Sequence, residues 1–81
     1  MDMETAILDL LARRAPGKSI CPSEVARALA EDWRPLMPEV RATAARMAAK
    51  GQLRVTQKGR EIDPQSARGP IRLALPETTH P

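Results

Sequence analysis

At 81 residues the chain has room for one domain, which would bury roughly 60–65% of the surface its unfolded form exposes, so a deep active-site cleft is not expected. One Cys and one His exclude an intrachain disulfide and the usual zinc ligand sets, and Trp33, the only aromatic residue, provides no stacking platform for single strands. The net charge of +3 hides a segregation: residues 1–33 carry four basic against six acidic side chains, and residues 34–72 carry nine basic against three acidic.

Met3, Ile7, Leu8, Leu10 and Leu11 recur at helical spacing and predict an amphipathic first helix, stopped by Arg13, Arg14 and the run Ala15-Pro16-Gly17. Ser19 and Ile20 suit a very short strand that closes a later hairpin into a small sheet. A second helix opens at Cys21-Pro22-Ser23-Glu24, with proline at its first position and Cys21 where Ser or Thr normally caps. Val25, Ala26 and Leu29 form its apolar stripe. Glu31 to Pro35 make a turn, and Pro35 and Pro38 frame an irregular approach to a third helix over residues 38–50, which Gly51 ends.

The rhythm changes at Gly51. Leu53 and Val55 alternate with Arg54 and Thr56, which predicts a strand, and Lys58-Gly59 is a tight-turn pair, giving a hairpin of residues 53–57 and 60–63. Ile71, Leu73 and Leu75 alternate with Arg72 and Ala74 as a last strand. Two partitions remain open: a wing of residues 53–63 alone, or a wing whose return strand is 71–75 and whose tip is everything from Lys58 to Pro70. Either way the expected fold class is α+β, mainly α: a winged helix-turn-helix of three helices and a small antiparallel sheet. It occupies residues 1–75 as a single domain, followed by a disordered tail over 76–81.

The runs Ile20-Cys-Pro-Ser-Glu-Val-Ala-Arg-Ala-Leu29, Asp32-Trp-Arg-Pro-Leu-Met-Pro-Glu-Val-Arg41 and Ala67-Arg-Gly-Pro-Ile-Arg-Leu73 resemble a short bacterial family, domain of unknown function 3253. The resemblance covers nearly the whole chain. It implies a winged-helix fold and brings no activity, ligand, cofactor or catalytic residue with it.

Function is therefore read from the residues. A basic second half steers an anionic partner there, and double-stranded DNA, bound in the role of a transcriptional regulator, is the first candidate. On the third helix Val40, Ala44 and Met47 fall on an inward arc, and Ala42, Ala45 and Ala49 fall outward with Arg46 beside them and Arg41 on the flank. Arg41 and Arg46 would enter the groove, with Arg34 just ahead of the helix. Lys50, Arg54, Lys58 and Arg60 would clamp the phosphate backbone. The alternative is a protein partner packed on the alanine face.

Lone Cys21 is expected as a small core residue, and Trp33 as a plug for a sparse core. No catalytic or metal-ligating set is present in the sequence and no cofactor is expected, so an enzyme is not. No N-terminal run has the pattern of a secretory signal and no apolar run approaches the roughly 20 residues that span a bilayer, so a cytoplasmic protein without a membrane partner is expected. With no helix predicted after Leu75, it is expected to be a monomer.

Overall fold

The structure, a computed structural model, describes residues 2–14 and 18–76. The expected stop at Ala15-Pro16-Gly17 and nearly all of the expected tail lie outside the described residues. Helices α1 (Met3–Ala12), α2 (Pro22–Leu29) and α3 (Met37–Ala49) pack beside an antiparallel sheet of β1 (Ser19–Ile20), β2 (Arg54–Gln57), β3 (Arg60–Glu61) and β4 (Arg72–Ala74). The chain is thus an α+β fold, mainly α.

Each helix starts and stops for a local reason. Asp2 caps α1, its carboxylate accepting from Thr5 N–H at 2.8 Å and from the Thr5 hydroxyl at 3.1 Å. Arg13 closes that helix from the cap position, one residue beyond the last turn. Glu24 reaches back to accept from Cys21 N–H at 2.7 Å, which is the glutamate half of a capping box, and it also pairs with Arg14. A single 3₁₀ turn, Arg34–Leu36, accommodates Pro35 before α3 begins at Met37. At the far end Gly51, with φ +76°, lets its own N–H reach Ala48 O at 3.0 Å and the Gln52 N–H reach Met47 O at 2.9 Å, a Schellman motif.

The core lies between the three helices and one face of the sheet. Ile7, Leu11, Ile20, Val25, Ala26, Val40, Ala44, Met47, Leu53, Val55, Ile71 and Leu73 are all buried. Leu29, expected in the core, is half-buried at its margin, whereas Thr43, polar and at the edge of the helical stripe, is buried. Its hydroxyl is satisfied, accepting from Arg46 Nη2 at 3.1 Å and donating to Met3 Sδ at 3.4 Å.

Sheet order β1-β4-β2-β3 resolves the two wing partitions by combining them. β4 lies in the middle, pairing Ile20 with Leu73 on one side and Val55 with Leu73 on the other, so the last strand is the return strand. β3 is added on the outer edge of β2 through Thr56↔Glu61 and Gln57↔Arg60. Lys58 and Gly59, at φ +53° and +82°, form the left-handed two-residue turn that such a hairpin requires. Among the described residues no helix is long and apolar enough to cross a membrane.

Candidate nucleic-acid interface

The long connection from β3 to β4 is shaped by its own side chains before it meets the rest of the fold. The Asp63 carboxylate accepts from Gln65 N–H at 3.0 Å and from the Ser66 hydroxyl at 3.2 Å, winding one turn with Pro64 buried beneath it. Two side chains then fasten it. Gln57 Nε2 donates to Arg68 O at 2.5 Å and to Pro70 O at 3.2 Å. Arg41 donates from Nη1 to Pro64 O and Ala67 O, both at 3.2 Å, and from Nη2 to Gly69 O at 2.7 Å.

That geometry redirects one expected contact residue. Arg41, expected to flank the outward face of α3 and enter a groove, turns onto this loop, and its guanidinium fork is occupied by three backbone carbonyls. Arg46 is exposed, as a contact residue would be, but sits on the opposite flank. It lines an open depression of about 420 Å³ together with Asp2, Met3, Glu4, Glu39 and Thr43, where three carboxylates would repel a phosphate. The centre line of the outward face is Pro38, Ala42, Ala45 and Ala49, with Ala42 and Ala45 half-buried. It presents methyl groups and no side-chain hydrogen-bonding group.

The remaining cations fall into distinct places. Lys58 and Arg60 flank Gly59 at the tip of the β2–β3 hairpin, and Arg68 is drawn to the same end by the bond from Gln57 to its carbonyl. All three are exposed and none is bonded to a described side chain. Lys50 is exposed at the C-cap of α3, about 13 Å along the helix axis from Arg41. Arg54, at the base of the hairpin, lies 3.6 Å from the Glu61 carboxylate. Arg34 stacks on Trp33 with its Cζ 4.7 Å from the ring centroid, and Arg27 from α2 does the same at 4.7 Å.

Trp33 is half-buried and packs against the core, in line with the plug expected, while also serving as a rack for these two arginines. Cys21 is half-buried rather than in the core, and its sulfur accepts from Arg72 Nη1 at 2.8 Å. Arg72 also bonds Ser19 Oγ and Ser19 O, each at 2.9 Å, so it ties the β1–α2 junction to β4. Among the described residues no group of three or more His, Cys, Asp or Glu could hold a metal ion.

Sequence reasoning gave Arg68 no place in the contact set and overlooked Arg27. Arg68 could have been found in the charge count, whereas Arg27 lies six residues before Trp33 and only the turn brings it to the ring. Nor does any signal in the sequence distinguish Arg41, which looks like its neighbours until the loop closes on it.

Fold and surface together define a small α+β domain, mainly helical, with three exposed cations, Lys58, Arg60 and Arg68, that are bonded to no described side chain. Within that class, the chain belongs to the family described as protein of unknown function (DUF3253), whose family model matches residues 1–76. No curated protein matches the chain.

Proposed function

We propose that this is a winged-helix domain that binds double-stranded DNA in the bacterial cytoplasm, mainly through backbone phosphates and with little reading of base edges. The observation that carries the reading is the set of Lys58, Arg60 and Arg68 at the hairpin end, exposed and bonded to no described side chain, in a fold whose third helix has the outward line Pro38, Ala42, Ala45 and Ala49. Small side chains allow a helix to approach a major groove closely and touch thymine methyls. They offer none of the bidentate donors on which base recognition depends. The order helix, strand, helix, helix, then a hairpin with its return strand in mid-sheet supports the winged-helix reading.

A regulator of particular genes would need base contacts that this surface supplies sparingly, so a general DNA-binding role fits better than a sequence-specific one. Catalysis has no support in the residues at the site. The test is fluorescence polarisation with a random duplex at two salt concentrations. Binding should fall steeply with salt, with a log–log slope near −0.9 per phosphate contact, and the variant with Lys58, Arg60 and Arg68 all replaced by Ala should lose most of it. Absence of binding at low salt would exclude DNA as the partner.

A second reading is favoured by the same alanine line, because small residues also let a partner helix come close. In that case a protein would dock on Ala42, Ala45 and Ala49, and the wing substitutions would leave its binding unchanged.

A further inference from the structure

Arg27 and Arg34 stack on one ring, Trp33, each with its Cζ 4.7 Å from the centroid, so the two guanidinium carbons are no farther apart than twice that distance. Both side chains are exposed, and neither is ion-paired with a described carboxylate, although Glu31 and Asp32 lie in the same turn. Stacking uses the flat face of a guanidinium and leaves its in-plane N–H donors open to solvent. Two like charges held on one ring repel each other, and an anion bound at either guanidinium relieves that repulsion. The ring is a firm support, since Trp33 packs against the core and its carbonyl accepts from Leu36 N–H at 3.0 Å in the 3₁₀ turn.

Position gives the stack its meaning. Its ring and Arg34 lie on the turn that leads directly into the N-terminal half of α3, with Arg27 reaching it from α2, while the connection between β3 and β4 is bound to that same half of α3 through Arg41. We infer that Arg27 and Arg34, racked on Trp33, form a second phosphate-binding site for the DNA backbone, on the α2–α3 turn. This rests on the duplex-binding reading and extends it: one strand of phosphates meets the wing and another meets the stack, with the alanine face of α3 between them. Arginine suits the task because its planar fork bonds a phosphate with two parallel N–H groups while the aromatic face fixes its orientation.

Trp33 is the only tryptophan and the chain has no tyrosine, so its intrinsic emission reports on the stack directly. Random duplex DNA titrated into the whole protein at low salt should change that emission, saturating at the concentration at which polarisation saturates. The variant R27Q/R34Q should remain folded by thermal denaturation, bind duplex about tenfold or more weakly, and lose about two phosphate contacts' worth of salt slope. Should the double variant unfold, R27Q and R34Q singly should each lose about one. The wing variant K58A/R60A/R68A, driven to saturation, should still show the emission change. If wild type binds duplex and R27Q/R34Q binds with equal affinity and salt slope, this site is overturned and the wing reading stands. If neither binds, duplex DNA is not the partner and both readings fall.

Discussion

Arg41 Nη2 lies 2.7 Å from the carbonyl oxygen of Gly69, 28 residues further along the chain, and this bond ties α3 to the connection between β3 and β4. With its companion bonds to Pro64 and Ala67 it satisfies three carbonyls in a segment that has few other partners. Gly69, at φ +86°, presents that carbonyl from a conformation that other residues rarely adopt.

Replacing Arg41 with Met keeps the aliphatic stem and removes the donors, and should cost about 1–3 kcal/mol of stability, as charged hydrogen bonds to partly buried acceptors do. Amide exchange across residues 64–70 should accelerate more than exchange in α1. Uniform behaviour of the two segments would show that the loop does not depend on this side chain.

Leu53 and Leu29 should separate in their effects. Leu53 is 4% exposed, and Leu53→Ala should cost about 2–5 kcal/mol by chemical denaturation. Leu29→Ala should cost less, because its half-buried side chain leaves a dent that water can fill rather than a closed cavity.

At the hairpin tip Gly59 has open space around it but a φ of +82°, so Gly59→Ala is strained by its backbone and not by contact. The expected loss is about 1–2 kcal/mol, read as a lower melting temperature. Lys58→Gly should be neutral or slightly stabilising at its own positive φ of 53°, while weakening duplex binding through the lost charge.

On α3 the two flanks should behave differently toward DNA. Ala45→Glu places a carboxylate on the outward line and should weaken duplex binding strongly, whereas Arg46→Ala should matter little, since Arg46 donates to Thr43 and faces Glu4 and Glu39 across the depression. A large loss on Arg46→Ala in polarisation would move the DNA toward α1.

The Asp2 carboxyl is held below its ordinary range by the Thr5 backbone N–H and then by the Thr5 hydroxyl. A depressed carboxyl contributes stability above its unfolded-state pKa and loses it as pH falls through the folded value. Melting temperature should therefore decline at acid pH by a component that Asp2→Asn reduces, and the two proteins should converge at the acid end.

The element order, Gly51 as a helix stop and the Lys58-Gly59 turn were legible in the sequence, because each rests on local physics: apolar period, caps and positive φ. The alternation of Ile71, Leu73 and Leu75 likewise announced a strand. What tertiary structure alone decided was which strand lies in mid-sheet and where each arginine points. Arg41, Arg46 and Arg68 are equally basic in the sequence, yet one is consumed by loop carbonyls, one stands beside carboxylates and one is left open at the hairpin end. Long flexible cations take their partners from whatever the fold brings within reach, and those partners lie 23 to 28 residues away for Arg41, beyond any local pattern.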